Sequence, residues 1–316
     1  MRIAWLAAAA LQQRGHEVVL AVPADLAHLG TALGVRSTSL GFAVRDLLRS
    51  PEGAAMLADG DVRGFAEGVI AVKRHHLTAL TAGLLAASEG ADVVVGAGLL
   101  RDEAAAIAAV QAAALVLTGY APRFPNGAHP PIGLPPRRRP AAVNLAAHRL
   151  VATGTARVGR AWSDRFRSAV GAGPTGRSRT LALEPQLYSR HLVPRLPDRA
   201  RRPLLGFVRP TAAQHAAWGE PASDTALEAW LADGPPPVWF GFGSMPVLQV
   251  DHALDVVRRV ADRLGVRALV GTGWSSADDP AAAHSTDRLR VVGEIDHATV
   301  LPACSAAVHH LSLIHI

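Results

Sequence analysis

Cysteine is almost absent from this sequence. Cys304 is the single one in 316 residues, which excludes an intrachain disulfide framework and any CxxC metal or redox pair. That usage suits a reducing compartment, and a cytoplasmic location is expected. Aromatic residues are scarce, at 5%, so Trp5, Trp162, Trp218 and Trp230 are read as core or interface anchors rather than sugar platforms. No signal peptide is read in the apolar opening from Ile3 to Leu11, because no small-residue cleavage site follows a basic start. One uncharged stretch, Ala104 to Pro122, is mostly Ala and contains Gln111, Thr118, Gly119 and Tyr120. It reads as a buried helix and a buried strand rather than a membrane span.

Charge excludes further classes. The net charge is +6, but the basic residues are mostly scattered Arg. The densest groups are Arg137-Arg138-Arg139, flanked by prolines, and Arg195 to Arg202. A nucleic-acid footprint would be a concentrated stripe with aromatics between, so no nucleic-acid partner is expected. Peripheral attraction to an anionic membrane surface is a weaker expectation. His75-His76 follow Lys73-Arg74 and read as solvated residues of a helix. His309, His310 and His315 lack a carboxylate or Cys cluster at ligand spacing, so no metal site is expected. Asp102-Glu103 read as caps of the helix they begin, favoured by its dipole.

What is present is an alternation of helix and strand in a chain that is 49% hydrophobic, long enough for two cores. Ile3, Leu6, Ala7, Ala10 and Leu11 lie on one helical face, and Gly15 follows as a C′ residue. His16 to Val22 reads as a buried strand. Asp92 to Gly96 is a strand, Asp102 to Ala113 a helix, and Leu115 to Tyr120 the next strand. Such alternation argues a parallel sheet covered by helices. Tyr120 to Pro140 holds seven prolines and reads as a loop at the carboxyl edge of that sheet, where ligand clefts form. Arg195 to Pro237 is rich in Pro and Arg and reads as an inter-domain connection. One helix lies inside it, with Thr225 and Glu228 as a capping box and Gly234 as its stop. A second alternation then begins. Val238 to Phe242 is a strand and Asp251 to Leu264 a helix burying Ala253, Val257, Val260, Ala261 and Leu264, with Gly265 as its cap. Arg267 to Gly271 and Leu289 to Val292 are further strands.

The segment with the clearest chemistry is Pro236 to Pro246. A buried strand ends in a Gly-Ser turn, where Gly241 and Gly243 leave backbone N–H groups open to a ligand and Ser244 adds a hydroxyl. Such turns cradle phosphate oxygens; a plain strand-to-helix turn would look the same. The wording is more specific than the pattern. GFGSMP, followed some fifty residues on by VVGEIDHATVLPACSAAVHH, resembles the sterol glucosyltransferase and glycopeptide or macrolide glycosyltransferase group. RGHEVVLAVP, ADVVVG, YAPRFPNGAHPP and EAWLADGPPPVWFGFGSMP sit in the order that group uses.

The resemblance implies an α/β chain of two Rossmann-like domains of GT-B type. An acceptor-side domain over 1–205 and a linker with one helix over 206–236 would precede a partial donor-side domain over 237–316. It implies an inverting transferase that moves a hexose from a UDP- or dTDP-sugar to a hydroxyl of a lipid, sterol or polyketide-like acceptor. No cofactor beyond the nucleotide-sugar co-substrate, and no metal, is implied. Gly243 and Ser244 match the turn that contacts the donor diphosphate. Gly273 and Trp274 match a loop near the nucleotide, although Ser275 stands where that loop usually has a second glycine. Glu294 to His297 match the segment that holds the nucleobase, mainly through backbone groups around Ile295. His310 matches a histidine that hydrogen-bonds a phosphate oxygen.

Both ends depart from the group. After His310 the chain reads LSLIHI, with no glycine beyond Gly293. The first strand and its Gly-rich loop, where the catalytic base is expected, do not precede Ile3. The expectation from sequence is therefore a piece truncated at both ends, with the second domain incomplete, poorly stable and inactive. The alternative is a non-catalytic remnant that binds an apolar ligand.

Overall fold

The computed structural model describes residues 3–44, 46, 62–131, 134–135, 137–173, 181–191, 193, 196, 200–218, 225–241, 250–272, 285–293 and 295–309. The chain divides into two compact units, the described part of the first lying within 3–209 and that of the second within 210–309. Each has its own parallel β-structure and its own apolar clusters.

The first unit opens with α1 (Ile3–Gln12), which buries Trp5, Leu6, Ala8 and Ala9. The face expected from the sequence is thus rotated: Trp5 leads the buried stripe and Leu11 is exposed. An Ala-rich helix carries little contrast between its faces, and one indole decides the orientation. Gly15 adopts φ 87°, the left-handed conformation that ends a helix without a Cβ penalty. β1 (Val19–Val22) then leads through a 3-10 turn (Ala24–Leu26) and α2 (Ala27–Ala32) into β2 (Arg36–Ser39). The two strands pair in parallel, from Val19 against Arg36 to Val22 against Ser39.

Helices α3 (Val62–His75) and α4 (Leu77–Ser88) precede β3 (Val93–Gly96), α5 (Arg101–Val110), β4 (Ala114–Leu117), α6 (Ala141–Ala169) and β5 (Leu181–Leu183). β3, β4 and β5 form a second parallel sheet in that order. Helix α5 is enclosed on two sides. Ala104 and Ala108 pack on Leu115 and Leu117 of β4, while Ala106 and Ile107 pack with Trp162 and Phe166 of α6. A helix covered on both sides needs no polar stripe, which explains its run of Ala. Gly96 is required where β3 meets α5, since a Cβ there would lie 2.5 Å from the Ala104 Cβ.

The second unit begins with α7 (Ala212–Ala217) and α8 (Thr225–Ala232), both from the stretch read as a connection. α7 starts in a capping box formed by Thr211 and Gln214, which satisfies two orphan N–H groups reciprocally. β6 (Val238–Gly241), α9 (Val250–Leu264), β7 (Ala268–Gly271), β8 (Leu289–Val292), α10 (His297–Val300), a 3-10 turn (Leu301–Ala303) and β9 (Ala306–His309) follow. The sheet order is β8-β7-β6-β9, all parallel. One face carries Phe240, Val270 and Val291 under Leu254, Val257 and Ala261 of α9. The other carries Trp239 and Leu269 under Leu227 of α8 and Val300 of α10. α9 rests on the sheet through a narrower stripe than expected, and Val260 and Leu264 are exposed. Gly265 caps it at φ 65°.

Candidate functional site

The order of the second unit's sheet locates its ligand edge. Counted along the chain, β6 is the first strand, β7 the second, β8 the third and β9 the fourth, so the sheet reads 3-2-1-4. In such a doubly wound sheet the strand order reverses between β6 and β9, and a crevice opens at the carboxyl ends of those two strands. Gly241 and His309 are register partners there. Gly243-Ser244 come two residues after Gly241, and His310 follows His309, in the chain. Gly273-Trp274 follow β7 and Thr272. Gly243, Ser244, Gly273, Trp274 and His310 lie outside the described residues.

Ile295 and His297 are described, and they follow β8 at the same edge. Two strand spacings separate β8 from β6, or about 10 Å at the usual spacing. The rim at Ile295 is built on Trp239. Its indole lies across the ends of β6 and β7, and two glycines make room for it. A Cβ on Gly271 would run into the ring, and one on Gly241 would lie 2.6 Å from it. His297 meets this indole edge-on, with ring centroids 5.6 Å apart at 89°. Ile295 packs into the cluster around Trp239, Leu227 and Val300. Trp239 was not singled out from sequence, although the alternation of Trp239, Gly241 and Gly271 on one sheet face is visible once the pairing is known.

Asp296 caps α10. Its Oδ1 accepts the Ala298 N–H at 2.9 Å and its Oδ2 accepts the Thr299 hydroxyl at 2.6 Å. The His215 Nε2 of α7 stands 3.8 Å from Oδ1. The Thr299 hydrogen bond, the Ala298 N–H and the two nearby imidazoles hold this carboxyl below the usual Asp value, against the opposing effect of burial. At the opposite, amino edge lies a polar hollow of about 430 Å³ lined by Trp230, Asp233, Arg267, Asp287 and Arg288. Arg267 stacks on Trp230 at 3.8 Å and donates to the Trp230 and Pro235 carbonyls. These guanidinium bonds close the bottom of the sheet.

In the first unit the loops at the carboxyl edge of β3, β4 and β5 are tied by buried polar groups. Glu184 receives Arg101 and Arg202, each at 2.6 Å. Arg202 also lies over Phe124, 4.9 Å from the ring centre. Burial, and secondarily the neighbouring Arg101, lower the affinity of Arg123 for its proton, and burial pushes the Tyr120 phenol up. In the proline-rich loop, Asn126 Oδ1 accepts the N–H groups of Ala128 and His129. Its Nδ2 faces His148 Nε2 at 3.2 Å, and that same nitrogen lies 3.1 Å from the His129 carbonyl. One nitrogen cannot accept from Asn126 and donate to His129 at once, so each tautomer of His148 holds one half of this pair. Asn144 donates to the Gly127 carbonyl. These contacts fasten a loop with little secondary structure onto α6.

Glu103 lies in the first turn of α5, as expected, but does not cap it: the N-cap is Leu100, with no side-chain cap bond. Glu103 is fully buried, with Oε1 accepting Lys73 Nζ at 2.7 Å and the Trp162 indole N–H at 2.5 Å. It thus joins α3, α5 and α6. Among the described residues no group of three or more His, Cys, Asp or Glu is gathered to hold a metal, and no helix is long and apolar enough to cross a membrane.

No protein-family model matches the chain. It is similar to an uncharacterized glycosyltransferase of Mycobacterium leprae, 27% identical over 321 residues, covering 95% of this chain and 70% of the relative. It is also similar to the vancomycin aglycone glucosyltransferase of Amycolatopsis orientalis, at 29% identity over 94% of this chain and 69% of that one. Among solved structures, the glycosyltransferase VinC in complex with dTDP shares the fold. Its TM-score is 0.55 and its identity 18%, over 98% of this chain and 73% of that one.

Proposed function

The chain belongs with the family 1 glycosyltransferases of GT-B fold, and from that premise we propose that it takes a nucleotide-sugar donor at the carboxyl edge of the second unit's sheet. The observation that carries this is the 3-2-1-4 strand order, which opens the crevice beside Gly241 and His309. Gly243, Ser244 and His310 would hold the diphosphate there, with Gly273 and Trp274 next to it and Ile295 and His297 at the nucleobase. The span of about 10 Å from β6 to β8 suits a diphosphate at one end and a base at the other. The donor is a UDP- or dTDP-hexose, and the transfer inverts the sugar. The acceptor is a hydroxyl on a lipid, sterol or polyketide-like molecule, bound by the first unit in the cytoplasm.

The chemistry follows from where charge develops. The sugar leaves through an oxocarbenium-like state while negative charge grows on the departing diphosphate. Backbone N–H groups at strand ends and a histidine are suited to that charge, so that no metal is needed. A base takes the proton of the acceptor hydroxyl; no described residue is assigned that role.

The test is calorimetric titration of the purified chain with UDP-glucose and dTDP-glucose, with and without EDTA, followed by transfer assays on sterol and glycopeptide aglycones. Saturable donor binding that EDTA leaves unchanged is expected. Binding of an apolar acceptor with no donor binding would replace this reading by the remnant one.

A further inference from the structure

Ile295 and Asp296, the residues just before α10, behave oppositely. No hydrogen bond among the described residues takes up the Ile295 N–H or C=O, although its side chain is anchored in the cluster around Trp239. Asp296 is engaged at every oxygen. Its carboxylate accepts from Ala298 and Thr299, and its carbonyl accepts the Val300 N–H at 3.0 Å and the Thr299 N–H at 3.3 Å. α10 has four residues, too few to persist without outside support. The cap supplies that support on one side. The edge-on contact of His297 with the glycine-seated Trp239 supplies it on the other.

We infer that Asp296 is a positioning residue for the donor nucleobase, fixing the open Ile295 backbone through the α10 cap, with His215 of α7 as its outer support. The inference rests on the donor-site reading above. Asp296 already accepts one bond within the cap at each carboxylate oxygen. It acts by holding its neighbour, whose N–H and C=O are the groups a base edge can pair with. His215 lies 3.8 Å from the carboxylate and restrains it more loosely.

The experiment is titration of the full chain with UDP, dTDP and inorganic pyrophosphate, in unmodified form and as Asp296→Ala, Asp296→Asn and Thr299→Ala. Asp296→Ala is expected to bind both nucleotides about five- to tenfold more weakly, the size of a lost cap. Asp296→Asn keeps a cap acceptor and should stay within about twofold. Thr299→Ala falls between them. Pyrophosphate affinity should be the same in all four, because the defect lies at the base end. Unchanged nucleotide affinity in Asp296→Ala overturns the inference. So does an equal loss for pyrophosphate, or an Asn variant as weak as the Ala one. If Asp296→Ala fails to fold, Thr299→Ala decides, and an unchanged nucleotide affinity there is contrary. Failure of the unmodified chain to bind either nucleotide overturns the donor-site reading itself.

Discussion

Glu103 shows how one buried charge is made tolerable. Its carboxylate would be costly in an apolar interior, and Lys73 and the Trp162 N–H offset that cost. Lys73→Met strands the carboxylate and is expected to cost about 3–5 kcal/mol in urea unfolding. The double variant Lys73→Met/Glu103→Leu should recover most of that loss, and additive losses would contradict this account. Gly271 makes the complementary case in the second unit. Gly271→Ala drives a methyl into the Trp239 ring and is expected to cost about 1–3 kcal/mol, with weaker UDP binding. A variant of unchanged midpoint and affinity would show that the indole is not seated as described. His129 carries a pH prediction. Burial, and secondarily His148, lower its pKa, while the unfolded chain takes up a proton near the ordinary value of about 6.5. Its contribution to stability is then full above that value and is lost as pH falls toward the folded one. The urea midpoint should drop between pH 7.5 and 5.5, and drop less in His129→Asn; an identical drop in the variant would remove His129 from the explanation.

At the scale of elements, strands with β-branched runs were legible from sequence, and faces of Ala-rich helices were not. Val93–Gly96 and Leu289–Val292 fall where apolar runs between turn residues place them. The faces of α1 and α9 differ from the helical wheel, which cannot say how wide the contact stripe is: Val260 and Leu264 fit the period but lie outside the contact. Helix α6 has no counterpart in the sequence pattern. Its 29 residues are polar over much of their length, and only Trp162 and Phe166, one turn apart, bury large side chains with α5. That concentration predicts that Trp162→Ala costs about 3–5 kcal/mol in thermal or urea unfolding, whereas Leu150→Ala, on the exposed first half, leaves stability unchanged. The cap at Asp296 is not legible in the sequence, because a cap is visible only when the helix it starts is known, and a four-residue helix leaves no periodicity.

For the whole molecule, the readable part was the alternation of strand and helix, which foretold parallel sheets. The strand order was not readable, because nothing in β6 to β9 names its neighbour. Yet that order decides where a ligand edge lies. The competing location is the polar hollow at the amino edge around Trp230, Arg267 and Asp287. The most direct measurement is backbone amide NMR of the full chain titrated with UDP and dTDP. The account predicts shifts at Gly241, Ile295, His297 and His309, with Arg267 and Asp287 unmoved. Shifts gathered at Arg267, Asp287 and Arg288, with Ile295 and His297 silent, would contradict it.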